Sequence, residues 1–162
     1  MKILFICTHN RCRSILGEAI TRQLCNDSIQ VRSAGSAPAG EVHPETIKNL
    51  ERHGYKINDL ISQSWDDLGD FIPDVTITVC DNAAKEACPL WLGKAIKIHW
   101  GLPDPTHASI TDKNRTEAFN KVIKTLETRI EKLFEHDLES LSENEIKTVF
   151  SNLEKINSTT MD

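Results

Sequence analysis

Apolar residues along the chain cluster in short blocks, whose spacing changes between that of a strand and that of a helix. Residues 3–6 form an apolar run of strand length, and the spacing after it predicts a helix over about residues 14–25. Apolar and β-branched runs predict three more strands, over residues 29–33, 74–79 and 95–100. A second helix is predicted over residues 43–53, with Pro44 in its first turn and Gly54 as its stop.

The last third of the chain is predicted to be helical. A helix beginning near Thr111 or Asp112 carries apolar residues at spacings of three and four, which predicts an amphipathic face against a sheet. These residues, which we interpret as core, are Ala118, Phe119, Val122, Ile123, Leu126, Ile130 and Leu133. A weaker pattern beyond His136 predicts a further helix, and the chain from Asn157 onward has the composition of a frayed end.

Strands that alternate with helices predict an α/β fold of three layers, with a central parallel four-stranded sheet and helices on both faces. Ligands of such sheets bind at the carboxyl ends of the strands. Cys7, Cys80 and the loop that carries Asp104 each follow directly after a predicted strand. We therefore expect these three positions to meet at one edge of the sheet.

The charge of the chain is concentrated near its end. The net charge is −5, and residues 135–162 carry seven acidic and two basic side chains, so the remainder is neutral. We predict one domain over residues 1–136 and an acidic, partly helical C-terminal extension over residues 137–162. The sequence shows no run of transmembrane length, no signal-peptide cleavage site and no basic face. We therefore expect neither membranes nor nucleic acids as partners. We expect a cytoplasmic protein whose five cysteines are reduced.

Residues 7–14 lie at the junction of the first predicted strand and helix. Backbone N–H groups and the positive end of the helix dipole would converge there, which favours a thiolate at Cys7. Arg13 adds a planar fork of donors suited to a tetrahedral oxyanion, and His9 and Asn10 tolerate left-handed backbone. A lone cysteine at a strand end is more often a small core residue. The full pattern favours a nucleophile under an oxyanion cradle, and the missing lysine and glycines argue against an ATP site.

Asp104 lies between two prolines, which stiffen the loop around it. One interpretation is a general acid that protonates a leaving oxygen, with a pKa raised by its surroundings. The other is an ordinary turn aspartate, since aspartate is common in proline-rich turns. The oxyanion cradle in the same chain favours the general acid.

The remaining cysteines allow more than one interpretation. Cys80 and Cys88 enclose seven residues, a gap longer than the spacing typical of structural zinc sites. Disulfide formation between them would require that segment to loop out or rearrange. The residues alone are equally compatible with a redox pair and with two inert thiols. Cys12 fits either a protective disulfide partner of Cys7 or small packing, whereas Cys25 is predicted to be structural.

Taken together, these motifs resemble the low-molecular-weight protein tyrosine phosphatase fold, and within it most closely the bacterial arsenate reductases. The resemblance covers roughly residues 2–134 and keeps the order of the motifs. The residues that carry it are Cys7-Thr8-His9-Asn10-Arg11-Cys12-Arg13-Ser14, Ser33-Ala34-Gly35, Val79-Cys80-Asp81-Asn82, Cys88-Pro89 and His99-Trp100-Gly101-Leu102-Pro103-Asp104-Pro105. Phosphatases of this fold carry no cysteine pair like Cys80 and Cys88, and they usually have tyrosine after Asp-Pro, where this chain has Thr106.

The resemblance implies reduction of arsenate to arsenite, for arsenic detoxification. Cys7 would attack arsenate, Asp104 would protonate the departing oxygen, and Cys80 and then Cys88 would carry the disulfide outward. The implied oxyanion-binding residues are Thr8, His9, Asn10, Arg11, Cys12, Arg13 and Ser14, with Asn10 and Ser14 organising the loop and Ser14 activating the Cys7 thiolate.

The resemblance further implies no bound cofactor or metal, an external thiol donor, and phosphate or sulfate as competing anions. His9, in place of the usual glycine, and the longer gap between Cys80 and Cys88 are similar to the branch that uses glutathione and glutaredoxin. The other branch uses thioredoxin, and both donors stay open. Hydrolysis of phosphomonoesters through a phosphocysteine is the alternative activity.

Overall fold

Every predicted strand is present, and each of its bounds lies within one residue of the predicted one. The structure is a computed structural model that describes residues 1–85 and 93–157. Within these ranges the strands are β1 (Lys2–Ile6), β2 (Gln30–Ala34), β3 (Val75–Thr78) and β4 (Ile96–His99). The α-helices there are α1 (Arg13–Leu24), α2 (Pro44–Arg52), α3 (Asp81–Lys85), α4 (Asp112–Leu133) and α5 (Glu143–Leu153).

The four strands form one parallel sheet in the order β2-β1-β3-β4. Ile3, Leu4, Phe5 and Ile6 are each at most 1% exposed. Because successive side chains of a strand point to opposite faces, four buried residues in a row mean that both faces of β1 are covered. The predicted α/β fold is confirmed.

The order of the strands determines where the reactive residues meet. The central strands β1 and β3 are hydrogen-bonded neighbours, with Ile6 in register with Thr78. Cys7 follows β1 directly, and Cys80 follows β3 after one residue. Both cysteines therefore lie at the carboxyl edge of the sheet, as the topology rule predicted.

The C-terminal helices pack onto the same core. The apolar stripe of α4 is buried as predicted, apart from the half-buried Ala118. The helix predicted beyond His136 is present as α5, and its buried Phe150 stacks on Trp100 with ring centroids 6.1 Å apart. Trp100 Nε1 also donates to the carbonyl oxygen of Phe150 at 2.8 Å. Division of the chain at residue 136 stays a prediction.

Over the two described ranges, none of the helices has both the length and the apolar character that crossing a bilayer requires.

Candidate active site

The loop between β1 and α1 is held in shape by the side chain of Asn10. Asn10 has a φ of 45°, so the left-handed backbone predicted for this loop occurs here and not at His9. The fully buried Asn10 amide accepts from the backbone N–H of Gln63 and donates to Ser14 Oγ, each at 2.8 Å. These two bonds join the loop to the start of α1 and to the chain that runs beside β2.

Ser14 links this support to the thiol of Cys7. Its Oγ lies 2.9 Å from Cys7 Sγ, and both side chains are buried. A thiolate cannot donate a hydrogen bond, so in that state the Ser14 hydroxyl must be the donor. Because the Asn10 amide already occupies an acceptor position on Ser14, the hydroxyl proton is directed towards the sulfur.

A small cavity opens above Cys7. Its volume is about 70 Å³, well below the roughly 300 to 1,000 Å³ of pockets for drug-sized ligands. The residues that line it are Cys7, Thr8, His9, Arg11, Cys12, Arg13, Cys80, Asn82, Asp104 and Thr106. The cavity therefore fits a small ion surrounded by polar groups and thiols.

A larger cleft of about 680 Å³ lies beside β2, near Glu18, Arg32 and Phe71. Its lining includes none of the residues of the Cys7 loop and neither Cys80 nor Asp104. Volume does not decide where the chemistry takes place. The cleft also contains a thiol, but Cys25 lies at the C-terminal end of α1 and burial raises its pKa, whereas Cys7 precedes the N-terminus of α1 and has the Ser14 hydroxyl beside it.

Arg13 connects the loop to the segment that carries Asp104. Its Nη1 donates to the carbonyl oxygen of Leu102 at 2.9 Å, and its Nη2 lies 3.9 Å from Asp104 Oδ2. The Arg13 side chain is about four-fifths buried. Arg13 and Asp104 therefore both line the cavity, with the guanidinium group close to the carboxyl group.

Asp104 does not have the raised pKa that we expected. Burial raises its pKa, but hydrogen bonds from Thr106 and the charges of Arg13 and Arg11 together outweigh burial and hold it below the usual value. Thr106 donates to Asp104 Oδ1 from its backbone N–H at 2.9 Å and from its hydroxyl at 2.6 Å. The expectation was wrong for the unliganded protein because it took no account of these short-range donors.

Cys80 lies on the wall of the cavity that contains Cys7. Cys80 Sγ is 3.8 Å from Thr8 Oγ1, a residue of the Cys7 loop, and it accepts from the backbone N–H of Ala83 at 3.4 Å. Cys80 is buried, with 5% of its surface exposed. The predicted partner of Cys80 in a relay, Cys88, lies outside the described residues.

Sequence comparison identifies the family. Residues 2–147 match the profile of the low molecular weight phosphotyrosine protein phosphatases. The chain belongs to this family. Among its relatives, an arsenate reductase of Halalkalibacterium halodurans is 32% identical over 128 residues, which cover 79% of this chain and 91% of that protein.

Solved structures agree with this family membership. A structure of an arsenate reductase in the phosphate binding state aligns with a TM-score of 0.67 and 29% identity, over 83% of this chain and 96% of that one. A thioredoxin-dependent arsenate reductase from Corynebacterium glutamicum aligns with a TM-score of 0.64 and 29% identity, over 86% of this chain and 63% of that one. The resemblance to arsenate reductases of the phosphatase scaffold is confirmed.

Within this family scaffold, the other predicted site residues fall into two groups. Asn10 and Ser14 lie behind the cavity wall and support the loop, whereas Thr8, His9, Arg11 and Cys12 line the cavity itself. Burial raises the pKa of the Cys12 thiol to about 12, which keeps it neutral. Cys25 is not part of this cavity, and its backbone N–H closes the end of α1 by donating to Thr21.

Two cavity residues had no predicted role. Thr106 follows Asp104 by two residues, the spacing at which a turn side chain and the local backbone hydrogen-bond to each other. That spacing is the feature of the sequence from which the contact between Thr106 and Asp104 could have been predicted. Asn82 reaches the cavity because α3 begins directly after Cys80. It belongs to the motif Val79-Cys80-Asp81-Asn82, in which the sequence predicts no role for Asn82.

Proposed function

We propose that this protein is an arsenate reductase in which Cys7 is the nucleophile. The observation that carries the proposal is that Cys7 and Cys80 line one small cavity together with Arg13 and Asp104. A hydrolase needs the cradle and the acid, but it has no use for a second thiol in this position. A reductase uses a second thiol, because the electrons that reduce arsenate must come from thiols.

The first step would be attack of the Cys7 thiolate on arsenic. The N–H groups of the loop and the fork of Arg13 would hold the oxyanion, and Ser14 would stabilise the thiolate by donating to it. An As–S bond forms as an As–O bond breaks. Asp104, which also lines the cavity, would protonate the departing oxygen so that it leaves as water.

Binding of the oxyanion would also prepare Asp104 for that transfer. The bound anion brings negative charge close to the carboxylate and competes for Arg13, and both effects raise the pKa of Asp104 from its low unliganded value. The same residue would then be ionised in the empty site and protonated when the substrate is present.

The second step would reduce arsenic. Cys80, as a thiolate, attacks Cys7 Sγ, and the electron pair of the breaking S–As bond stays with arsenic. As(V) becomes As(III), arsenite leaves, and a disulfide joins Cys7 and Cys80. Cys88 would then attack Cys80, release Cys7 and leave a Cys80–Cys88 disulfide, a role that rests on the family resemblance.

An external thiol would complete the cycle. The relative from Corynebacterium glutamicum is thioredoxin-dependent, and we propose a thioredoxin-type donor, with glutathione and glutaredoxin as the alternative. Phosphate and sulfate would compete with arsenate, because the cradle recognises a tetrahedral oxyanion. Such a thiol relay requires a reducing compartment, for which we propose the cytoplasm.

A coupled assay with NADPH, the matching reductase and either thioredoxin or glutaredoxin tests the proposal. We expect arsenate-dependent oxidation of NADPH with one of the two carriers. Mass spectrometry after a single turnover would then show either a Cys80–Cys88 disulfide or a glutathione adduct, which identifies the donor. If neither carrier supports arsenate-dependent oxidation, the proposal is wrong.

Phosphomonoester hydrolysis is the second candidate, because Cys7, Arg13 and Asp104 also suffice for a phosphocysteine mechanism. Strong turnover of an aryl phosphate that is unaffected by Cys80→Ser would favour the hydrolase. Arsenate reduction that is lost in the same variant would favour the reductase.

A further inference from the structure

Three side chains connect the end of the sheet to the residue that follows Cys80. Thr78 and His99 are register partners in the ladder between β3 and β4, and Thr78 Oγ1 lies 2.8 Å from His99 Nδ1. On the other side of the same ring, His99 Nε2 lies 3.2 Å from Asp81 Oδ1. Asp81 is the first residue of α3 and directly follows Cys80.

The Thr78 hydroxyl keeps the ring oriented whether or not His99 is protonated. In the neutral ring, Nε2–H donates to the Asp81 carboxylate and Nδ1 accepts from Thr78. In the protonated ring both nitrogens donate, and the hydroxyl can turn its proton to the carbonyl oxygen of Ile98, 3.4 Å away. The contact with Asp81 therefore persists in both states.

Gly101 leaves the space that this arrangement needs. A Cβ at this position would lie 3.2 Å from His99 Nε2, closer than most contacts of that kind. The imidazole of His99 can therefore pack against the backbone of Gly101 and still contact Asp81. A Cβ at position 101 would require the ring to move by a few tenths of an ångström.

The start of α3, which includes Asp81, determines the direction in which the Cys80 thiol points. The backbone N–H of Ala83 donates to Cys80 Sγ at 3.4 Å, and that of Ala84 donates to the Cys80 carbonyl oxygen at 3.3 Å. The first N–H groups of a helix have no partners within the helix, so the start of α3 depends on contacts with the rest of the protein. Ala83 supplies a buried contact, and Asp81 supplies the polar one.

We propose that His99 is a positioning residue, which holds Asp81 and thereby keeps the Cys80 thiol turned towards the cavity for its attack on Cys7. This inference rests on the proposed role of Cys80 as the second nucleophile. His99 is not among the residues that line the cavity, so its removal should leave the cradle of Cys7, Arg13 and Ser14 intact. The defect should therefore fall on the thiol relay and not on anion binding.

The first test measures the geometry itself, without arsenate. We compare Asp81→Asn and His99→Phe with His53→Gln, which alters another surface histidine that bonds to Asn120 on α4. Amide hydrogen exchange of Ala83 and Ala84 should become about two- to fivefold faster in the first two variants, the upper part of the range expected for an exposed pair of this kind. Since both substitutions remove one contact, the double variant should be no faster than the singles. His53→Gln should match the wild type.

The second test measures the consequence for the relay. In a single turnover with arsenate, loss of free thiols should be about two- to fivefold slower in both variants, the same factor by which amide exchange becomes faster. Binding of inorganic phosphate, measured by calorimetry, should be unchanged because the cradle is untouched.

Each result decides the question. Unchanged exchange at Ala83 and Ala84 overturns the inference, and so does a slower turnover accompanied by equally weakened phosphate binding. If the wild type itself shows no arsenate-dependent loss of thiols, the proposed function fails, while the exchange data still establish whether His99 holds α3. Asp81 is exposed, so Asp81→Asn remains informative even if His99→Phe does not fold.

Discussion

The hydroxyl oxygen of Ser14 lies 2.9 Å from the thiol of Cys7, and both groups are shielded from water. The Asn10 amide fixes the hydroxyl from the other side. A nucleophile with one dedicated donor, itself oriented by a second residue, keeps its geometry before the substrate arrives. Such preorganisation is what the charged thiolate requires in a site from which water is largely excluded.

Ser14→Ala should therefore slow formation of the Cys7 adduct by about 10- to 100-fold, the cost of losing a hydrogen bond to a charged group. Rapid-quench measurement of the first turnover with arsenate would give this rate. Ser140→Ala, which changes an exposed serine far from the cavity in sequence, is the matched control. An unchanged adduct rate in Ser14→Ala would show that Ser14 does not support the thiolate.

Thr106→Val tests the low pKa of Asp104. The valine keeps the shape of the side chain and removes the hydroxyl that donates to the carboxylate. Because the pKa of Asp104 in the folded state lies below its usual value, the bond from Thr106 stabilises the fold at pH values above the unfolded-state pKa of Asp104. The benefit is lost as the pH falls through the folded-state pKa. We expect the variant to be about 1 kcal/mol less stable at pH 7, with the difference closing below about pH 4.

Urea unfolding at a series of pH values would measure this difference. Thr148→Val is the control, because the Thr148 hydroxyl donates to the carbonyl oxygen of Asn144 and not to a carboxylate. The control should give a difference that does not change with pH. A pH-independent difference in Thr106→Val as well would contradict the proposed origin of the low pKa.

The fold and the main site residues could be predicted from the sequence because their signals are local. The Cys7 loop is a short motif between a strand and a helix, and the topology rule places Cys80 and Asp104 at the same edge of the sheet. Sequence spacing alone did not predict the strand order, which brings β1 and β3 side by side. That order depends on how the helices cover the sheet.

The lowered pKa of Asp104 and the contacts of α5 escaped prediction for a different reason. The first depends on the orientation of the Thr106 donors within a turn, which propensities do not specify. The second joins Trp100 to Phe150, residues that lie fifty positions apart. The sequence indicates that both are apolar, but not that one ring stacks on the other.

Cys80→Ser separates the two halves of the proposed reaction. Serine cannot form a disulfide, so sustained arsenate reduction should fall at least about 100-fold, while the cradle that binds phosphate is preserved. The coupled NADPH assay and phosphate calorimetry would measure the two properties. Cys25→Ser, which alters a thiol outside the cavity, should retain both. Full arsenate turnover in Cys80→Ser would assign the second thiol to another residue or to the external donor.

Phe150→Ala tests whether α5 belongs to the folded core. Phe150 is fully buried and stacks on Trp100, and its carbonyl accepts the Trp100 Nε1–H at 2.8 Å. Removing the ring should lower the free energy of unfolding by about 3 to 5 kcal/mol, the usual cost of a buried Phe→Ala change. Val149→Ala, on the half-buried side of the same helix, should cost markedly less. Because the Phe150 ring covers the buried Trp100 indole, its removal should expose the indole to water and shift the tryptophan fluorescence to longer wavelength. Equal stability of the two variants would show that α5 contributes little to the core.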